Sequence, residues 1–74
     1  MKQKQDKELR MYFTSEDGRI MYLVLPDNDG DVWDCLADYD DLHGTDWDEH
    51  IFGKDVLKVC YGAAPEYPNA ERGE

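Results

Sequence analysis

From Ile20 to Gly53 the chain has neither lysine nor arginine, a gap of 34 residues. Local charge compensation is therefore excluded over nearly half of the sequence. A membrane-spanning run is missing too. The longest apolar stretch is Ile20 to Leu25, far short of the ~20 residues a spanning helix needs. The N-terminal MKQKQDKELR carries charge but no apolar core after it, which does not fit a secretory signal. These absences lead us to expect a soluble, cytoplasmic protein. Serine occurs once, at Ser15, and there is no glycine-rich phosphate loop, no His-Glu-x-x-His run and no CxxC pair. The usual nucleophile, nucleotide cradle and zinc signatures are thus all lacking. The only cysteines, Cys35 and Cys60, each sit in an apolar segment, where a free thiol behaves as a small buried hydrophobe. A disulfide between them is the alternative and requires an oxidising compartment.

Acid fills the gap. Residues 27–49 hold ten carboxylates, and that segment's formal charge of -10 equals the net charge of the whole chain. Such one-sided charge repels itself, so keeping it calls for a reason. It also repels nucleic acid and anionic lipid. Aspartates outnumber glutamates twelve to six; the shorter side chain holds its carboxylate close to the backbone, in a fixed pattern. With 41% hydrophobic residues and nine aromatics, the chain is too apolar for a disordered acidic tail. At 74 residues it forms one domain at most, with a modest core.

Residues 1–8 read as a flexible N-terminal arm, 9–62 as a single compact domain and 63–74 as an extended C-terminal tail. Two β-prone runs, 10–15 and 19–25, flank Glu16-Asp17-Gly18 and predict a hairpin, with Asp17-Gly18 supplying positive φ. Pro26 ends the second run. After a turn at Asp27-Asn28-Asp29-Gly30, residues 31–37 alternate as a third strand would. Thr45 fits an N-cap with acids behind it, and Gly53 a terminator, for a helix of about two turns. Residues 54–61 return to strand character, with a helix as the alternative. The expected fold class is α+β: a small antiparallel sheet, made of a three-stranded meander plus a fourth C-terminal strand, with one short helix.

Asp27-Asn28-Asp29-Gly30-Asp31 looks like a calcium loop but fails on register. With Gly30 at position six, Leu25 and Leu36 fall where oxygen ligands belong; a hairpin turn explains the run better. His43 and His50, with Asp46, Asp48 and Glu49, lack metal-ligand spacing. No cofactor and no catalysis are expected, since surface acids alone do not make an acid–base pair.

The belt points to a basic partner. The expected partner-binding residues are Asp27, Asp29, Asp31, Asp34, Asp38 and Tyr39, followed by Asp40, Asp41, Asp46, Trp47, Asp48 and Glu49. Trp33 lies in the same belt, and at least one tryptophan is expected in the core. Replacing Asp38, Asp40 and Asp41 with asparagine is expected to weaken binding without unfolding the domain. In charge, size and style the chain resembles the small acidic inhibitors that phages deploy against restriction, repair and CRISPR nucleases. That resemblance implies a nucleic-acid mimic that occupies the basic surface of a nucleic-acid-binding protein, as a monomer or homodimer, in the host cytoplasm if phage-encoded. An immunity protein or antitoxin facing a basic toxin, a calcium- or metal-responsive module and a structural subunit of a larger assembly are the rival readings.

Overall fold

A computed structural model describes residues 7–73. Of the expected N-terminal arm, residues 1–6 lie outside that range. Strands β1 (Leu9–Thr14) and β2 (Ile20–Leu25) form the expected hairpin, in register from Leu9↔Leu25 to Thr14↔Ile20. Gly18 takes φ 88° in the turn between them, and the Ser15 N–H closes it onto the Arg19 carbonyl at 2.7 Å. Strand β3 (Val56–Tyr61) pairs antiparallel with β1, with an irregularity between Tyr12 and Phe13. A two-residue strand, β4 (Glu71–Arg72), runs parallel to β2, so the mixed sheet has the order β3-β1-β2-β4. The α+β class is as expected, but the meander is not.

The expected third strand is instead helix α1 (Val32–His43). Alternation over 31–37 competes there with a helical period. Cys35, Leu36 and Tyr39 are buried, and Val32 packs against the same cluster; that spacing of three, four and seven marks one helix face. Asp31 caps the helix, its Oδ1 accepting from the Asp34 N–H at 3.0 Å. Gly44 ends it in the left-handed region at φ 67°. The Asp/Asn/Gly run is therefore a strand-to-helix connection rather than a hairpin turn, with Asn28 Oδ1 accepting from the Gly30 N–H at 2.8 Å.

The expected helix over 45–53 resolves into two 3₁₀ turns, Trp47–Glu49 and Gly53–Asp55. Thr45 is not its N-cap, and Gly53 opens the second turn instead of closing a helix. Met11, Phe13, Leu23 and Leu25 from the hairpin meet Cys35, Leu36, Tyr39 and Ile51 in the core. Burying each Leu or Phe contributes about 1.5–3 kcal/mol.

Residues 63–73, read from sequence as an extended tail, run back along the sheet. Ala64 is buried and its N–H donates to the Tyr12 hydroxyl at 2.9 Å. Tyr67 lies 5.7 Å from the Tyr12 ring, and the Gly73 N–H bonds to the Tyr22 carbonyl at 2.8 Å. A Cβ at Gly73 would stand 2.8 Å from Leu23 Cδ2, so a side chain there would force the buried Leu23 to shift.

Candidate functional site

With Cys35, Leu36, Tyr39 and Asp40 turned inward, α1 presents Trp33, Asp34, Ala37, Asp38, Asp41 and Leu42 to solvent. Asp34, Asp38 and Asp41 follow one another at i, i+4 and i+7. At 1.5 Å of rise per residue they form a ridge of carboxylates spaced roughly 4.5–6 Å along the axis. Trp33 and Leu42 border the ridge, 40% and 73% exposed. Leu42 was not among the expected binding residues. Its place nine residues after Trp33 shows only once the segment is read as a helix.

The 27–31 connection adds acid at the helix start. Asp27 Oδ1 accepts from the Asp29 N–H at 3.3 Å, and its Oδ2 accepts from the Tyr61 hydroxyl. That hydrogen bond, followed by desolvation and the charges of Asp27 and Asp29, raises the Tyr61 pKa. Asp29 itself sits at φ 67°, a conformation Asp tolerates better than most residues. Asn28 Nδ2 donates to Asp38 Oδ2 at 2.5 Å and so fixes one carboxylate of the ridge. Beyond the helix, Asp46, Asp48 and Glu49 are exposed around the 47–49 turn. His50 joins them: its Nδ1 lies 3.1 Å from Glu16 Oε2 and its Nε2 3.4 Å from Asp46 Oδ2. The hydrogen bond to Glu16, aided by Asp46, raises the His50 pKa against the opposing effect of desolvation.

Three of the expected binding residues are not on the open surface. Tyr39 is buried with its ring 4.2 Å from that of His43. Trp47 is half-buried and meets Phe13 edge-on at 5.6 Å, which makes it the core tryptophan. Asp40 is 8% exposed and organises the chain after α1. Its carboxylate accepts from the Thr45 hydroxyl at 2.7 Å and from the N–H groups of Trp47 and Asp48, each at 3.0 Å. Burial opposes its ionisation, but those donors outweigh burial and hold the pKa below the usual carboxylate range. Nine of the twelve expected residues thus remain around α1 and its two ends.

A cavity of about 440 Å³ between the β1–β2 loop and the 47–49 turn is lined by Ser15, Glu16, Asp17, Trp47 and His50, among others. These side chains are the ingredients of a hydrolytic relay, but they are paired otherwise. Ser15 donates to Asp17 while His50 faces Glu16, so the imidazole does not address the hydroxyl. Among the described residues, no three His, Cys, Asp or Glu side chains converge to hold a metal ion. Cys35 and Cys60 are free thiols. No described helix is long and apolar enough to cross a membrane. No protein-family model matches the chain, and neither a curated protein nor a solved structure matches it.

Proposed function

We propose that this chain is an acidic binding protein that inhibits a nucleic-acid-binding protein by occupying its basic surface, with the outer face of α1 at the centre of contact. The observation that carries this reading is the Asp34–Asp38–Asp41 ridge, held on a capped helix and bordered by exposed Trp33 and Leu42. Duplex DNA presents about one charge per 1.7 Å of axis, counting both strands. One helix ridge flanked by the 27–31 and 46–49 acids approaches such density over a small patch. A coat that serves only solubility has no use for an exposed tryptophan and leucine amid the acid. An interface does, since apolar anchors ringed by polar residues carry most binding energy. The reading places the protein in the cytoplasm, that of the host if it is phage-encoded.

The test is capture of partners by the immobilised chain from cell lysate at low and high salt, with duplex DNA as competitor. Capture of nucleic-acid-binding proteins is expected at low salt, with release both by salt and by DNA. The triple variant D34N/D38N/D41N should lose that capture. Captured proteins that resist both DNA and the triple variant would sink the mimicry.

A further inference from the structure

The β3 edge differs from the rest of the surface. Residues 56–65 contain no carboxylate and one cation, Lys58, in a chain of net charge -10. β3 pairs with β1 on one side only; among the described residues, no backbone group bonds to its outer side. Edge strands are normally blunted by proline, by short length or by charge that repels another strand. β3 has no proline and matches β1 and β2 at six residues each. Its lysine is already neutralised, with Nζ 2.7 Å from Glu66 Oε2.

The side chains on this edge are apolar and half open. Val59 and Tyr61 stand opposite Met11 and Leu9, hence on the sheet face that carries α1. α1 packs chiefly over β2 and the 47–49 turn. Leu57, Val59 and Tyr61 are left 39%, 41% and 40% exposed.

We propose that the outer edge of β3 is a self-association surface, on which a second copy of this chain adds its own β3 antiparallel about a two-fold axis. Charge selects the place, and the register of the strand against its own copy selects the occupant. Two copies of charge -10 repel through every acidic face, and β3, which carries no carboxylate of its own while Asp27 meets Tyr61 and Glu66 meets Lys58 at its margin, is where they approach at least cost. The strand is also self-complementary. With Val59 opposite its own copy, Leu57 faces Tyr61 of the partner strand, which joins two apolar strips into one. Lys58 then faces Cys60, so no like charges stand directly opposite. Roughly four to six backbone hydrogen bonds close the pair, and two four-stranded sheets become one continuous sheet. Both α1 helices, with their acidic ridges, stay clear of the seam.

This inference does not depend on the proposed inhibition, and salt separates the two. Binding to a basic partner weakens as salt rises. Association of like-charged copies strengthens, because screening removes repulsion while the apolar strip is unaffected. Sedimentation velocity on the full chain, over a concentration series at low and high salt, is the experiment. A species of twice the 8.6 kDa chain mass is expected, with its fraction rising with salt. Val59→Lys places two cations at the two-fold axis and should weaken the dimer at least tenfold; Leu57→Lys is the second variant should the first lose its fold by circular dichroism. Leu42→Lys, on the outer face of α1, should leave the dimer intact. Amide exchange at outward N–H groups of β3 should slow with protein concentration. A chain that stays monomeric throughout overturns the proposal and leaves the strip to a strand of another protein. A dimer that survives both β3 variants, or one broken by Leu42→Lys alone, overturns it as well.

Discussion

Asp40 is one carboxylate among ten in the belt, and position alone gives it a different task. Its carbonyl accepts the N–H groups of Gly44 and Thr45, while its carboxylate takes the next donors, at Thr45, Trp47 and Asp48. One residue thereby closes α1 and folds the following loop onto it. An asparagine keeps the size but has one acceptor oxygen, and its NH₂ faces an N–H donor. Asp40→Asn is therefore expected to cost about 1–3 kcal/mol, the range for leaving a buried donor unpaired. Asp34→Asn, Asp38→Asn and Asp41→Asn should each stay within about 0.5 kcal/mol of wild type. Urea melts at neutral pH check both statements. The expected harmless replacement of Asp38, Asp40 and Asp41 together is corrected accordingly: a mutant set that probes the surface must leave Asp40 alone. Protonation gives a second check. The folded-state pKa of Asp40 is lowered, so its contribution is complete above the ordinary aspartate value of about 4. It is lost as pH falls through the lower folded-state value. The stability gap between wild type and Asp40→Asn should hold from neutral pH down to about 5 and close under stronger acid.

Elements here are held as much by side-chain ties between them as by their own propensity. His50, just past the 47–49 turn, reaches Glu16 in the β1–β2 loop and Asp46 ahead of the turn. Its pKa is raised in the fold. The tie therefore stabilises fully below the ordinary histidine value of about 6.5 and fades as pH rises through the raised value. His50→Gln should lower the melting temperature more near pH 5.5 than near pH 9. An equal loss at both would mean that the imidazole acts by packing alone. The C-terminal segment is a second such tie. Deleting residues 71–74 removes β4 and uncovers the Leu23 side of the sheet; a loss of about 1–3 kcal/mol is expected, and proteolysis within 63–73 should be slow in the intact chain. The hairpin and β3 were legible in the sequence because period-two patterning and Asp17-Gly18 agree there. α1 was not, since Val32 to Ala37 satisfies both periods. The deciding signals lay outside that window: the Asp31 cap, Tyr39 one turn further on and Gly44 at the end. The acidic belt was legible as charge. Which of its members face inward depended on the helix, so Tyr39 and Asp40 could not be sorted from Asp38 and Asp41 by composition. The hold on residues 63–73 was not legible, because two prolines and little apolar content suggest solvent, whereas it comes from Ala64, Tyr67 and the backbone of Gly73.

At the scale of the molecule, charge works against the fold it decorates. Asp34 and Asp38 stand at i, i+4 on α1, and Asp38 and Asp41 at i, i+3; like charges so placed cost about 0.2–0.5 kcal/mol per pair. Asp34, in the first turn, suits the helix dipole, while Asp41, in the last turn, opposes it. No lysine or arginine between residues 20 and 53 offsets either. Against a total stability of only about 5–15 kcal/mol for a small domain, this repulsion, about 0.4–1 kcal/mol for the two pairs together, is small but measurable. Screening should relieve it. The melting temperature of the wild-type chain is therefore expected to rise with sodium chloride, most steeply up to about 0.15 M, where the screening length has fallen to ~8 Å. The triple variant D34N/D38N/D41N should start higher and respond less, because it removes the ridge while leaving the Asp40 network whole. Sulfate would confound the measurement by strengthening apolar burial, so chloride is the salt to use. These melts belong at a protein concentration low enough to keep the chain monomeric, since self-association would also raise the melting temperature. If the melting temperature is flat in chloride and the triple variant melts no higher than wild type, the ridge costs nothing. The pattern then needs no partner to account for it, and the exposed Trp33 and Leu42 become the features left to explain.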